Sequence, residues 1–281
     1  MKKIAITICA LVVTTFANAQ VVTPKASPSA EVEQVVGLTK VEVNYSRPAT
    51  KGRSVFGDLV PYGRLWRTGA NENTVVEFTD DVQIDGKVLE KGKYAIYTVP
   101  SPTRWEVVFY KDFNNWGLPK EYSEEKIALT TVANSEMLDT NEEFFTIEVT
   151  PITTDKGDLV MSWEKTRVRI PFEVPTHKKT MESIALLNEE SKASDFYAAG
   201  QYLYSINQEN EKALEYVNKS IEMQNDAPFY MLRTKSLIQH RLGDKQGAIE
   251  TAKLSLEKAE QANNLDYIKM NRDSLLEWMK S

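Results

Sequence analysis

Cysteine and histidine are almost absent from this chain of 281 residues. The single cysteine is Cys9, and the two histidines, His177 and His240, stand far apart in the sequence. Thiolate or imidazole metal sites need several such ligands, and a nucleophilic triad needs a histidine beside its nucleophile. The sequence therefore predicts no metal site and no cofactor, and it argues against cysteine or serine–histidine catalysis.

A long hydrophobic run is also missing, because the apolar segment Ile4–Phe16 is too short to span a bilayer. Two lysines precede this segment, and Ala17-Asn18-Ala19 follows it as a small-x-small cleavage site. That order is typical of a secretory signal peptide. We therefore predict a signal peptide over residues 1–19, cleavage between Ala19 and Gln20, and an exported protein of the periplasm or extracellular space that does not span the membrane.

An excess of positive charge is lacking too, since 34 basic residues face 40 acidic residues and the formal charge is −6. Removal of the predicted signal peptide, which carries two lysines and no acid, makes the charge −8. An acidic chain is a poor general binder of nucleic acid, so no nucleic-acid partner is predicted. The length and the hydrophobic content of 42% suffice for two domains.

Alternation of apolar and polar residues dominates residues 31–174. Val41, Val43 and Tyr45 alternate with polar residues, and Asp85-Gly86 separates two short apolar runs as in a hairpin. Turn signals separate about nine such runs, which is typical of an antiparallel β-sandwich or a jelly-roll-like domain. Residues 20–30, which include two prolines, are predicted to form a flexible leader.

A repeat marks residues 175–281, which we predict to be helical. Residues 211–221 align with residues 246–256, so that Ala213 matches Ala248 and Ser220 matches Ser255. A period of about 34 residues indicates a helical-hairpin repeat, and the pattern resembles tetratricopeptide repeats. The predicted fold is therefore α+β and multidomain. The expected helices lie near residues 194–205, 209–223, 228–242, 244–262 and 265–280.

The stretch 45–74 is a long loop rich in glycine, proline and arginine. It carries five basic residues against two acids, Asp58 and Glu72, and its aromatic residues indicate order. Arginine forks bind carboxylate or phosphate, and aromatic faces can support a sugar ring. The candidate ligand-binding residues are Arg47, Arg53, Tyr62, Trp66, Arg67, Asn71, Glu72 and, from a later loop, Trp116.

A structural role for the same arginines is an equally physical reading. Arg47 and Arg67 can bridge Glu72, Asp58 and loop carbonyls, which would fasten the loop to the sheet. An open positive pocket beside Trp66 would favour ligand binding, whereas arginines sealed by acids would favour the structural role. The sequence alone favours the structural role over binding, and binding over catalysis.

Several motifs in this region resemble a known family. The segments 45–48, 51–53, 59–63 and 66–72, with Phe56-Gly57, Gly92-Lys93-Tyr94 and Trp116-Gly117, are similar to exported bacterial β domains called domain of unknown function 2911. The resemblance covers about residues 31–174, and tetratricopeptide repeats after such a domain fit this family. It implies an architecture and an exported location, and it implies no activity.

Three functions remain open at this point. The sequence favours an exported cell-envelope protein without enzymatic activity, whose helical repeats bind another envelope protein. The alternative is a β-sandwich module that binds an anionic or carbohydrate ligand at the arginine- and tryptophan-bearing loop. The third is a carboxylate-dependent hydrolase that uses Glu72 and Asp58, since carboxylate chemistry is the main catalytic route left.

Overall fold

The structure, a computed structural model, describes residues 23–280, so the predicted signal peptide lies outside the described residues. The chain divides into two compact units, one ending at Thr176 and the other beginning at His177. Residues 29–173 contain nine strands of an antiparallel sheet, and residues 176–278 contain six helices. The predicted α+β architecture is therefore confirmed.

The strands follow the order β1-β2-β3-β6-β7-β8-β9-β4-β5 across the sheet. A short 3-10 helix, Glu124–Lys126, precedes β8. The strands, in chain order, are β1 (Ser29–Val36), β2 (Thr39–Ser46), β3 (Val75–Phe78), β4 (Val82–Ile84), β5 (Lys87–Leu89), β6 (Gly92–Val99), β7 (Arg104–Tyr110), β8 (Ile127–Ile152) and β9 (Lys156–Glu173).

One large apolar core contains most of the buried apolar side chains of the β unit. In β2 the side chains of Val41, Val43 and Tyr45 are buried, as the alternation in the sequence predicts. The first part of β8 pairs with β7 and its second part pairs with β9. Buried residues from both parts of the sheet, including Phe109 and Ile170, belong to the same cluster. The sheet is therefore folded over this core in the manner of a sandwich, and a smaller buried cluster that includes Tyr97 and Tyr110 lies outside it.

Two strands extend beyond what the sequence suggests. The polar residues between 132 and 144 remain in β8, because pairing with β9 continues across register shifts between Met137 and Glu142 and between Glu142 and Thr146. Strand β1 begins at Ser29, inside the segment predicted as a leader, and it pairs with β2. Both segments are rich in exposed charge, which obscures the apolar alternation by which strands are recognised.

The helical unit contains one helix more than the sequence predicts. Helix α1 begins at polar residues and carries few apolar positions before Ile184, so its periodicity is weak. None of the six helices in the described part of the chain combines the length and the apolar character that a bilayer span requires. The helices are α1 (Thr176–Ala185), α2 (Ala193–Ser205), α3 (Asn210–Glu222), α4 (Phe229–Arg241), α5 (Lys245–Gln261) and α6 (Leu265–Trp278).

The repeat in the sequence corresponds to a repeated contact. Ser220 Oγ in α3 donates to the carbonyl of Ala193 at the start of α2, at 2.7 Å. Ser255 Oγ in α5 donates in the same way to the carbonyl of Phe229 at the start of α4, at 2.8 Å. Each buried serine thus fastens a helix to the helix that precedes it.

Candidate functional site

The long loop between β2 and β3 is held in place mainly through its backbone. The N–H of Trp66 donates to the carbonyl of Thr98 at 2.7 Å, and Thr98 N–H donates back to Trp66 at 2.9 Å. The N–H of Gly63 donates to the carbonyl of Pro100 at 2.9 Å. These bonds lay the middle of the loop along β6.

Two carboxylates of the second half of the sheet fasten the first part of the loop. Glu143 in β8 accepts from Thr50 Oγ1 at 2.5 Å and from the N–H of Lys51 at 2.9 Å. These two bonds hold the pKa of Glu143 below its ordinary value. Glu164 in β9 accepts from the N–H of Val55 at 3.2 Å. The loop is therefore fastened by acids that are remote in sequence.

The arginine–carboxylate pairs considered from the sequence do not form. Glu72 instead accepts from Lys25 Nζ at 3.3 Å, and its own backbone N–H, more than Lys25, lowers its pKa. Asp58 is exposed and has no ion pair within residues 23–280. Arg47 donates from Nε to the Phe145 carbonyl at 3.1 Å and from Nη2 to Thr146 Oγ1 at 2.7 Å. Arg47 is thus a structural link between the loop and β8.

Three other arginines, Arg53, Arg64 and Arg67, line an open cleft of about 560 Å³. No aspartate or glutamate within the described residues lines this cleft. The remaining wall is apolar apart from Ser27 and consists of Pro48, Leu59, Val60, Pro61, Leu65, Trp66, Gly69, Ala70, Leu118 and Trp163. We call this feature the arginine cleft.

The three guanidinium groups are placed in different ways. Arg53 donates from Nε to the Thr50 carbonyl at 2.9 Å and from Nη2 to the Ala49 carbonyl at 2.8 Å. Arg64 is exposed, and neither it nor Arg67 has an ion pair in the part of the chain that the structure describes. The Nε atom of Arg67 is buried and has no hydrogen-bond partner there. The cleft thus holds three positive charges, and its wall contains no neutralising side chain among residues 23–280.

Trp66 lines the arginine cleft and also packs against the apolar core. Its Nε1 donates to the Gly69 carbonyl at 3.2 Å. Its ring stacks against Trp163 with the centroids 5.9 Å apart, and it meets Phe145 edge-on at 5.3 Å. Aromatic pairs of this kind add about 0.5–1.5 kcal/mol beyond the burial of their area. The aromatic core therefore holds Trp66 in its place at the cleft.

Of the eight residues predicted from the sequence, Arg53, Trp66 and Arg67 line the arginine cleft and the other five do not. Tyr62 is exposed and packs on Gly57, where a Cβ would lie 2.7 Å from the ring. Asn71 Nδ2 donates to the Ser27 carbonyl and to Ser46 Oγ, which makes it a structural residue. Trp116, like Arg47 and Glu72, lies outside the wall.

Eleven of the fourteen lining residues are not among the candidates from the sequence, and two of these, Arg64 and Trp163, differ in the signal that the sequence carries. Arg64 was counted in the basic excess of the loop, and its position within that excess marks it as a candidate. Trp163 alternates within β9 and is 2% exposed, so its sequence context indicates core alone. Its contribution to the cleft depends on the folding of the loop over the sheet.

A buried asparagine holds the neighbouring loop against the cleft. In the amide orientation that satisfies every group, Asn73 accepts from the hydroxyl of Tyr97 at 2.9 Å. Its nitrogen then donates to the carbonyls of Asn115 at 2.8 Å and Gly117 at 2.5 Å. Burial raises the pKa of Tyr97, which keeps the phenol protonated as a donor.

The two carbonyls that Asn73 binds flank Trp116, so the turn that carries this tryptophan is fixed. Gly117 has a φ of +79°, and a Cβ at this position would lie 3.4 Å from Arg67 Nη1. Glycine is favoured there because other residues rarely adopt that backbone conformation. The turn therefore lies directly beside the guanidinium of Arg67.

Comparison with protein families gives one match, to a family described as "Protein of unknown function (DUF2911)", over residues 27–172. Comparison with curated proteins and with solved structures gives no match. The matched segment is more than half of the chain, and it contains all of β1 to β8, nearly all of β9 and the whole wall of the arginine cleft. The chain therefore belongs to the DUF2911 family.

Proposed function

We propose that the β unit binds a ligand that combines an anionic group with an apolar body, and that the arginine cleft is its site. The observation that carries this proposal is the set of three arginines in a largely apolar cleft whose wall, within the described residues, holds no carboxylate. Arginine forks are suited to two-point contacts with carboxylate or phosphate, and small-ligand sites are typically apolar with a few placed polar groups.

Two of the three cleft arginines, Arg64 and Arg67, have no evident role in folding. Glu143 and Glu164 fasten the loop through Thr50 Oγ1 and backbone N–H groups, while Arg64 and Arg67 carry no ion pair among the described residues. Like charges in one cleft repel one another, and a bound anion relieves that repulsion. Such an anion would stabilise the folded state by mass action.

A carbohydrate is less well suited to the same cleft. Sugar hydroxyls need side-chain acceptors as well as donors, and apart from the arginines the described wall offers only the hydroxyl of Ser27. Asn71 and Glu72, the acceptors predicted from the sequence, do not line the cleft. Hydrolysis with Glu72 and Asp58 would need both carboxylates at the ligand, and neither lines the cleft. We therefore propose binding without hydrolysis.

Calorimetric titration with phenyl phosphate, and with benzyl alcohol as a neutral match, tests this proposal. We expect phenyl phosphate to bind, with an affinity that falls as salt is added, and benzyl alcohol not to bind. Arg64→Gln and Arg67→Gln should each weaken binding at least tenfold, because a charge-assisted contact contributes roughly 1.5–3 kcal/mol. The matched control is Arg104→Gln, an exposed arginine at the start of β7 outside the cleft.

Two results would contradict anion binding in the cleft. The first is equal binding of benzyl alcohol and phenyl phosphate, which would assign the affinity to the apolar wall alone. The second is a similar loss in Arg104→Gln and Arg67→Gln, which would reflect net charge and not the cleft.

We also propose that the protein is exported. The support is the N-terminal order of two lysines, an apolar segment and Ala17-Asn18-Ala19. N-terminal sequencing of protein recovered from the periplasm or the medium should begin at Gln20. A full-length, membrane-bound form would contradict cleavage.

The helical unit supports a second candidate function, the docking of another envelope protein. The hydroxyl of Tyr197 forms a hydrogen bond with Thr234 Oγ1 at 2.9 Å and donates to the carbonyl of Tyr230. Gln201 Nε2 donates to the same hydroxyl of Tyr197 at 3.1 Å. This tyrosine-rich face joins α2 to α4, as expected for a repeat of helical hairpins. A photo-crosslinking residue at Gln201 should trap a specific partner, and one at exposed Glu250 on α5 should not.

A further inference from the structure

An apolar rim faces outward beside the arginine cleft. Leu59 and Leu118 line the cleft and are 40% and 44% exposed, and Trp116, two residues from Leu118, is 70% exposed. A small anion within the cleft would leave most of the Trp116 ring in water. We call Leu59, Trp116 and Leu118 the apolar rim.

Trp116 is presented on a fixed turn. Asn73, which is 5% exposed, binds the carbonyls on both sides of Trp116, and Gly117 lies against the Arg67 guanidinium. The protein therefore fixes the backbone that carries a large apolar side chain, although that side chain is not buried in its own core. Exposed apolar groups that cluster beside polar ones are a mark of interaction surfaces.

The composition of this surface also differs from that of an enclosed small-molecule site. Tryptophan and arginine are the residue types that most often dominate binding energy at protein interfaces, where they lie near the centre of the contact. Here the turn that carries Trp116 lies against Arg67, and Leu118 from the same turn lines the cleft together with the three arginines. An occupant that covers the apolar rim and fills the arginine cleft must be longer than a single small anion.

We propose that the arginine cleft and the apolar rim form one docking surface for an acidic segment of a partner protein. Carboxylates of that segment bind Arg64 and Arg67, and an apolar side chain of the same segment packs on Trp116. Charge complementarity selects this occupant, because the wall carries three guanidinium groups and no acid among the described residues. This inference rests on the proposed function, since it assigns the same arginines to a longer ligand.

The test uses the chain from Gln20 to Ser281 and a labelled six-residue peptide, acetyl-Glu-Glu-Leu-Trp-Glu-Glu, followed by fluorescence anisotropy. One companion peptide replaces every glutamate with glutamine, and a second replaces leucine and tryptophan with serine. The protein variants are Trp116→Ser and Arg67→Gln. Met137→Ser is the control, because Met137 is 88% exposed in β8 and lies outside both the cleft and the rim.

We expect the acidic peptide with its two apolar residues to bind the parent protein, and both companion peptides to bind at least tenfold more weakly. Trp116→Ser and Arg67→Gln should each reduce the affinity for the first peptide at least tenfold, and Met137→Ser should leave it unchanged. Trp116→Ser should still bind phenyl phosphate as the parent does, which also shows that the variant is folded.

Four results would overturn this inference. If phenyl phosphate binds but the peptide does not, or if Trp116→Ser retains the peptide affinity, the ligand is a small anion and only the proposed function stands. If neither probe binds, the proposed function fails together with the inference. If sedimentation shows a dimer that Trp116→Ser abolishes, the surface serves a second copy of this chain and not an acidic partner.

Discussion

Replacement of Arg67 by methionine gives a direct measure of whether the arginine cleft is built for binding or for stability. Methionine keeps an unbranched apolar stem beside Gly117 and removes the guanidinium. Because Nε of Arg67 is buried without a partner among the described residues, the change removes a desolvation penalty of roughly 1–3 kcal/mol. It also removes repulsion from Arg53 and Arg64. We therefore expect Arg67→Met to leave stability unchanged or to raise it.

Arg53→Met is the contrasting variant in the same cleft. Arg53 donates to the carbonyls of Ala49 and Thr50, and both bonds are lost in the variant. Because Arg53 is exposed, these two hydrogen bonds contribute less than buried ones would. We therefore expect Arg53→Met to lower the free energy of unfolding by about 1–2 kcal/mol. For a unit of this size each kcal/mol corresponds to about 2–4 °C in melting temperature. We therefore expect Arg53→Met to lower the melting temperature, and Arg67→Met to raise it or leave it unchanged.

Thermal melts followed by tryptophan fluorescence report on the β unit, because four of the five tryptophans lie in it. Phenyl phosphate should raise the melting temperature of the parent and have little effect on Arg67→Met, since a ligand stabilises the folded state only if it binds there. If the melting temperature without ligand falls as much in Arg67→Met as in Arg53→Met, the binding role inferred for Arg67 is refuted and its role is structural.

Three further predictions concern stability. Hydrogen bonds from Thr50 and Lys51 lower the pKa of Glu143. The ionised Glu143 therefore stabilises the fold above the ordinary glutamate pKa, and this stabilisation is lost as the pH falls through the lower pKa of the folded state. In acid melts, the difference in stability between the parent and Glu143→Gln should close below about pH 4. Phe145→Ala should cost about 3–5 kcal/mol in denaturant unfolding of the β unit, and Phe144→Ala, whose side chain is 42% exposed, should cost far less. Gly200→Ala should destabilise the helical unit by roughly 1–3 kcal/mol in melts followed at 222 nm, with exposed Ala198→Ser as control, because a Cβ at Gly200 would lie 2.6 Å from Val217 Cγ2.

Local patterns in the sequence predict much of the fold. The alternation around Val43 and the turn at Asp85-Gly86 identify strands, because a period of two is set by the pleat itself. The matching of Ser220 with Ser255 identifies the helical pairs, because each serine makes the same contact in its own pair. Helix α1 and the charged middle of β8 escape prediction, because tertiary pairing maintains them where the local pattern is weak.

The arginine cleft shows the limit of such reasoning more sharply. The sequence identifies the loop and its positive charge, and Arg53, Trp66 and Arg67 do line the cleft. It does not identify which acids meet the loop. Glu143 and Glu164 lie about ninety residues or more beyond their partners in the chain, and only the folding of the sheet brings them near. The nearby acids Glu72 and Asp58 were the natural candidates because sequence proximity was the only available measure of distance.

The manner in which the long loop is fastened has a consequence for how the family can diversify. The bonds that carry the loop past the cleft run through backbone groups of Gly57, Gly63 and Trp66, while the side chains of Leu59 and Arg64 make no hydrogen bond within residues 23–280. Substitutions of Leu59 and Arg64 can therefore alter which ligand the surface binds without removing a hydrogen bond that maintains the conformation of the loop. Members of the family, or designed variants, can thus change ligand specificity at these side chains while the backbone of the loop stays the same, as antibody loops change specificity on a constant scaffold.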